Sequence, residues 1–507
     1  SLARGKVLDI HDFGAVPGHG NTDRNRDALN QAFKEAESGD VVYVSGGKTY
    51  VMSGGVVISN KHSISFQVDG VIQARDCTGH FEQWPSYNFS KDRGLNKVPF
   101  IHVRNSRHVA LRGGGMIDGN GVAWWNAFVL GEFKGERPIL LLTENSTDLV
   151  YEHVRFLNSP RFFLMFRACA RVTVRHISID VDRNRQREIK AVAIDRRLRD
   201  YGLGHLNRAV LAQALSGQSS GPIDWVFNEI VKLLPKWILQ PEDLNTDGID
   251  TQGRDFHIYN CTINNDDDSV AVKPSTRKDL YETRVTECTE NVLIENMTMT
   301  GFGASIGSVP PHADVNCIRN VTFRDIKMPG TGKGVYIKSN PSCGFDKNID
   351  GETVPKTATI SDVLYEDVRI EKPWWWAIWI GPQQQHEPNS ALGEKCSLTY
   401  PHGDCPTQGC ATFKDITLRN VRITDPLISP GVIFGNETNR MQNITLDGVV
   451  VEYSSNPLHA KWPFGPHYMC VHADVNVVGG TRPTPSGHGC STHGLDAFSA
   501  GGMQTFV

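Results

Sequence analysis

No stretch of this 507-residue chain reaches the ~18 consecutive apolar residues that a membrane-crossing helix needs. Charge is sparse as well. Charged residues make up 21%, and lysine plus arginine minus aspartate plus glutamate is 52 − 56 = −4, with no basic block. Neither nucleic acid nor a membrane is therefore an expected partner. The 11 cysteines include no Cys-x2-Cys pair of the kind common zinc sites use. An odd count leaves at least one thiol unpaired. Cys396, Cys405 and Cys410 crowd one Gly/Pro-rich loop, and Cys470 and Cys490 flank another. They read as loop staples, with metal binding as the alternative. The opening SLARGKVLDI has no apolar signal core, which fits a processed exported chain or a cytosolic one. The staples, together with the Asn-x-Ser/Thr sequons at Asn88, Asn145, Asn260, Asn296, Asn320, Asn436 and Asn443, favour a secreted, extracellular glycoprotein.

Glycine and a short repeat are what the chain has in excess. Hydrophobic residues at 39% suffice for a large core, and 48 glycines imply many turns between short strands. The length would suit about three ordinary domains unless the fold is a repeat. A pattern of the form N-V-x-I-x-N-x-x-I starts at Asn145, Cys169, Gly253, Thr289, Ile318, Ile360, Phe413 and Met441. Each copy holds two alternating apolar/polar strands broken by Asn, Asp or Gly, so each buries one face. Copies at irregular intervals suit stacked coils with variable loops. The expected fold is all-β, a right-handed parallel β-helix, with a β-sandwich as the alternative. Residues 22–36 read as an amphipathic capping helix, N-capped by Thr22 or Asp23. Residues 184–240 read as a helical insertion, with helices in GHLNRAVLAQAL and PIDWVFNEIVKLLPKWIL.

The densest carboxylates lie in NTDGID, Asn245 to Asp250, and NNDDDSVAVK, Asn264 to Lys273. One coil apart, residues stack at roughly 4.8 Å, so Asp247, Asp267 and Asp268 can converge. Both Asp267 and Asp268 face outward only if the chain bends before Ser269. Crowded like charges raise at least one pKa, which suits a general acid; a Ca2+ site or a solvated acidic turn is the alternative. Ser305, Ser308 and Lys338 fall beside the patch on the next coils. Carboxylates with one ammonium fit glycosidic-bond chemistry.

In this order, Asn-Thr-Asp-Gly, Asp-Asp, Gly-x-Gly-x-Ser-Ile-Gly-Ser and Ile-Lys resemble glycoside hydrolase family 28, the polygalacturonases and rhamnogalacturonan hydrolases. The opening DFGAV and Ser159 to Ile179 are similar too, and the likeness runs from about residue 8 to 455 outside the insertion. The resemblance implies an inverting hydrolase without a metal cofactor. Asp267 would be the general acid, and Asp247 and Asp268 would hold and activate water. Asn245, Ser305 and Lys338 would contact substrate. Two positions depart: Phe302 stands where polygalacturonases carry histidine, and Tyr336 where they carry the arginine of Arg-Ile-Lys. Losing that clamp predicts a leaving-side sugar not held as a uronate, as in rhamnogalacturonan-type members. His312 is a candidate to compensate for Phe302. In PWWWAIWIG, alternation from Pro373 puts Trp374, Trp376 and Ile378 on one face, and Trp376 is a candidate for stacking on sugar.

The reading is thus a pectin-type polysaccharide or oligosaccharide hydrolase acting as monomer or homodimer, with a single β-helix catalytic domain over 1–460. Residues 461–507 would pack on or cap it. The insertion and the loops around Pro382 to Gly409 would wall the groove, which favours exo-action. The alternatives are a plain polygalacturonase, a β-helix polysaccharide lyase and a non-catalytic carbohydrate-binding protein.

Overall fold

The computed structural model describes residues 5–90, 94–133, 135–200, 244–275, 288–314, 316–340, 342–384, 396, 400–401, 405–453 and 463–494. Its repeat copies are strands that pair in parallel, coil upon coil. Thr289–Met299 lies in register between Gly253–Asn264 and Cys317–Pro329, so Ile294 stacks on Ile258 and Phe323. The same inward row continues through Tyr365, Leu418 and Leu446. All six side chains are buried, and the Phe323 and Tyr365 rings stack 4.7 Å apart. Each such burial contributes about 1.5–3 kcal/mol, and only the neighbouring coils supply it. The parallel β-helix expected from the repeat is present, and its solved relatives are right-handed.

The asparagines and aspartates of the repeat are its corners. Asp255 and Asn260, Asn291 and Asn296, Asn320 and Asp325, and Asp415 and Asn420 all adopt left-handed φ, between 49° and 60°. Asn and Asp tolerate that region better than other residues with a side chain. The corners also bond along the stack: Asn291 donates to Asp255 at 2.9 Å, Asn320 to Asn291 at 2.8 Å, and Asn443 to Asp415 at 2.7 Å. The sequons at Asn145, Asn260, Asn296, Asn320 and Asn443 are such corners, followed by a strand with Ser or Thr two residues on.

One sheet carries a single short strand per coil. In chain order its strands are Val56–Ser59, Ile101–Arg104, Leu141–Glu144, Leu164–Arg167, Ile249–Thr251, Val270–Val272, Ala304–Val309, Val335–Ser339, Ile378–Pro382, Gly431–Phe434, Tyr468–Val471 and Pro485–Ser486. Both sheets therefore run past residue 460, with Ala473–Val478 and Ser491–His493 extending the other.

The helix Thr22–Glu35 buries Ala28, Leu29, Ala32 and Phe33, and Phe33 meets Phe66 edge-on at 5.0 Å. Its N-cap is Asn21, one residue ahead of the expected position. Of the insertion, the helix Arg183–Asp200 is described; the two helices expected further on lie outside the described residues. Disulfides join Cys288 to Cys317, Cys343 to Cys410, Cys396 to Cys405 and Cys470 to Cys490, while Cys77, Cys169 and Cys261 are buried thiols. The crowded loop cysteines are staples, although Cys410 reaches back to Cys343 rather than to a near neighbour. Among the described residues no helix is long and apolar enough to cross a membrane.

Candidate active site

The single-strand sheet presents its alternate residues outward. One outward row runs Met165, Asp250, Ala271, Ser305, Tyr336, Trp379 and Val432, coil by coil. Ile249, Val270, Val272, Ala304, Ile306, Val335 and Ile337 point into the core. Asp247 lies just ahead of the strand Ile249–Thr251, and Asp267 and Asp268 just ahead of Val270–Val272. The chain bends at Asp266 and Asp267, so strand alternation does not separate the aspartate pair. One carboxylate oxygen from each of Asp247, Asp267 and Asp268 lies within 4.8 Å of the others, and all three residues are buried. The expected convergence is present in the geometry.

Backbone contacts hold the two loops together. Gly248 N–H donates to the Asp268 carbonyl at 2.9 Å, and Asn265 Nδ2 donates to the Thr246 carbonyl at 2.9 Å. A Cβ at Gly248 would meet the Ser269 carbonyl oxygen at 2.4 Å, so only glycine allows this approach. Asn245 has φ 47°, a left-handed corner two residues before Asp247.

Asp268 accepts from Ser305 Oγ and from Lys338 Nζ, each at 2.7 Å. Burial works to raise its pKa, but Lys338, Lys273 and these hydrogen bonds outweigh it and hold Asp268 below the usual carboxylate range. Asp247 is pushed well above that range by burial first and by the Asp250 charge second. Burial also lifts Asp250, to about 6. Neither Asp250 oxygen accepts a hydrogen bond among the described residues. Lys273 Nζ lies 3.5 Å from Asp247, 3.8 Å from Asp250 and 3.6 Å from Asp268. Burial opposes its charge, but these carboxylates together hold it firmly protonated. The trio is close enough to ligate a cation, yet two ammoniums already lie against it and compete with any ion.

Asp250 and Lys273 were within the quoted motifs but were not singled out. Strand parity was the available signal: with Ile249, Val270 and Val272 inward, Asp250 and Lys273 must point out. The remaining candidates divide. Phe302 donates its N–H to the Asp267 carbonyl at 2.8 Å, which places it beside the patch. Tyr336 is 1% exposed; its hydroxyl donates to the Gln384 carbonyl at 3.2 Å and accepts the Gln384 N–H at 3.1 Å. Its ring takes Lys333 Nζ at 3.7 Å and Lys338 Nζ at 4.0 Å from the centroid. His312 is turned to backbone, with Nδ1 accepting the Asp314 N–H at 3.0 Å and Nε2 3.4 Å from the Ser275 carbonyl, so it pins a loop.

Trp376 needs correction. It is 0% exposed, packed on Trp379 and Phe464 at 5.8 and 5.9 Å, so no face is left for a sugar. The alternation read from Pro373 fails because the strand begins only at Ile378. Trp376 and Trp379 share an outer cluster, while Ala377 and Ile378 join the core. Trp374 and Trp375 remain half-buried beside Phe302.

A parallel β-helix with a buried carboxylate cluster on the outer face of one sheet defines the structural class. The model of glycosyl hydrolases family 28 matches residues 45–194 and 236–462, and the chain belongs to that family. Similar proteins include a probable exopolygalacturonase B of Aspergillus fumigatus, 25% identical over 67% of this chain and 58% of its own length. A probable endo-xylogalacturonan hydrolase A of Aspergillus oryzae is 23% identical over 67% of this chain and 64% of its own. The matched region thus spans less than two thirds of these relatives. Among solved structures, the endo-xylogalacturonan hydrolase of Aspergillus tubingensis shares the fold at TM-score 0.54 and 17% identity, over 96% of this chain and 99% of that one. The family 28 exopolygalacturonase of Yersinia enterocolitica does so at TM-score 0.60 and 12% identity, over 97% and 78%.

Proposed function

We propose that the chain is an inverting glycoside hydrolase of a pectin-type polysaccharide, with Asp267 as general acid and Asp247 and Asp268 ordering the attacking water. The observation that carries this reading is the trio of carboxylates within 4.8 Å, braced by Ser305 and Lys338. Charge accounting supports it. Four carboxylates, Asp247, Asp250, Asp267 and Asp268, face two ammoniums, Lys273 and Lys338, so full ionisation would leave two uncompensated charges in a buried site. The protons are favoured on Asp247 and Asp250, while Asp268 stays ionised as a base must.

On the leaving side, half-buried Phe302 and buried Tyr336 stand in place of a charged grip, and Tyr336 is engaged by Gln384. That supports a unit without a carboxylate there, rhamnogalacturonan-like rather than homogalacturonan. The buried apolar cluster of Tyr336, Trp376, Trp379 and Val432 on that side supports attack from a chain end. The four disulfides support an extracellular setting.

Reducing-end release from polygalacturonic acid, xylogalacturonan and rhamnogalacturonan tests the reading, with Asp267→Asn as control. Rhamnogalacturonan should be preferred, a single small product should appear early, and Asp267→Asn should cut turnover about 10²-fold or more. The carboxylates sit closer than the roughly 6.5–9.5 Å typical of inverting pairs, so NMR of the first-formed anomer is decisive for stereochemistry. A wide preference for polygalacturonic acid refutes the leaving-side assignment, and an unsaturated ultraviolet-absorbing product identifies a lyase.

A further inference from the structure

The helix that opens the insertion reaches both loops that carry the aspartates. We infer that its first turn is a clamp setting the distance between those loops, with Arg183 and Gln186 as positioning residues; this rests on the hydrolase reading above. The turn is itself fixed. Asp182 N–H donates to Asn158 Oδ1 at 2.8 Å, and Asp182 Oδ1 accepts the Arg185 N–H at 2.9 Å. From it, Arg183 Nε donates to Asp266 Oδ1 at 2.6 Å and Nη1 to Asn264 Oδ1 at 3.3 Å. Arg187 Nε adds a second, longer approach to Asp266 at 3.9 Å. Gln186, fully buried, donates Nε2 to Thr246 Oγ1 at 3.4 Å.

Asp266 immediately precedes Asp267, and Thr246 immediately precedes Asp247. A single helical turn therefore holds the residue before each of two aspartates that come from different coils. Such a tie has work to do, because carboxylates drawn within 4.8 Å repel one another and press their loops apart. The ion pair is shielded, with the Arg183 and Asp266 side chains 17% and 9% exposed. Donation from two guanidinium nitrogens to two acceptors, Asp266 and Asn264, fixes direction as well as distance, which lysine reproduces only in part.

The test compares wild type with Arg183→Ala, Arg183→Lys, Gln186→Leu and Arg183→Ala/Asp266→Asn, measuring kcat, KM and the melting temperature on the best-cleaved polymer of the panel. Arg183→Ala should lower kcat about tenfold to a hundredfold, the scale of a misplacement near 1 Å, with KM changed less than about threefold. Arg183→Lys should recover part of kcat, and Gln186→Leu should lower it less. The double variant should be no slower than Arg183→Ala, because both remove one tie. Folded variants with wild-type kcat and only a lower melting temperature overturn the clamp, as does a rise in KM alone. Wild type that cleaves nothing in the panel overturns the hydrolase reading and the clamp with it; active wild type with unchanged variants overturns the clamp alone.

Discussion

Along one sheet, the outer surface before the aspartate coils and the surface after them are built differently. Before them, the outward positions are Val57, His102, Leu142 and Met165, with Ser59, Arg104, Glu144 and Arg167 beside them. The row of Ser59, Arg104, Glu144 and Arg167 is polar and partly open to solvent: Glu144 accepts from His102 at 2.8 Å and from Arg167 at 3.1 Å. After them, Tyr336, Trp379 and Val432 are at most 1% exposed, covered by a second apolar cluster with Trp376 and Cys396. Tyr400, Phe434 and Phe464 pack against it. The boundary falls one coil past Ser305. The backbone ladder is the same on both sides, so the side chains make the difference between a more open half and a buried half, the sealed one.

Opening the sealed half should have the largest effect. Trp376→Ala should cost about 3–5 kcal/mol of stability, the range for truncating a buried tryptophan. The loss is measured by denaturant unfolding. Trp376→Phe should lose much less, since the Trp376 Nε1 is buried without a hydrogen-bond partner among the described residues. If Trp376→Ala folds at reduced temperature, its early products should shift from one small species towards longer oligosaccharides. Equal stability for Trp376→Ala and wild type would show that the outer cluster is loosely packed and the half not sealed.

Much of this arrangement was legible in the residues. The coils were, because Asn, Asp and Gly at fixed places in the repeat mark left-handed corners that only those residues occupy cheaply. The convergence of Asp247, Asp267 and Asp268 followed from coil spacing plus one bend. The sealed half was not legible. Alternation assumes a strand, and Trp374 to Trp376 precede one, so Trp376 was placed as a ligand contact when it packs on Phe464 far along the chain. Tyr336 was recognised as a changed residue, but its bonds to Gln384 depend on a loop arrangement that no local pattern encodes. The bonds from Arg183 and Gln186 likewise span some 60 to 80 residues, beyond any periodicity.

The next effect sits at the boundary. Burial raises the Asp250 pKa from 3.8 to about 6, so the fold prefers the protonated acid. Its stabilisation is complete below the unfolded value near 4 and is lost as pH rises through about 6. The expected decline over that window is about 3 kcal/mol. Asp250→Asn, neutral at every pH, should flatten the stability profile between pH 4 and 6 and gain relative to wild type at pH 7. Asp268 works in the opposite sense, its contribution falling away only in more acidic solution, below the usual carboxylate range. Denaturant unfolding at pH 4, 5, 6 and 7 measures the Asp250 effect; parallel profiles for the two proteins would remove Asp250 from the buried cluster's proton inventory.

The smallest effect should come from the open half. Burial tends to raise the Glu144 pKa, but His102 and Arg167 together bring it below the ordinary value, in a pair about one-fifth exposed to solvent. Surface pairs that keep contact with solvent contribute about 0–1 kcal/mol, so Glu144→Gln should change stability little. What it changes is the local charge, freeing Arg167 from its carboxylate. If the polymer lies along this half, KM for a uronate-containing substrate should fall about threefold at low salt, and the gain should fade as ionic strength shortens the screening length to about 8 Å. Tyr336→Phe, on the sealed half, alters no charge and should leave the salt dependence of KM as in wild type. A KM for Glu144→Gln that matches wild type at every salt concentration would place the bound polymer off the His102–Glu144–Arg167 surface and break the division into an open and a sealed half.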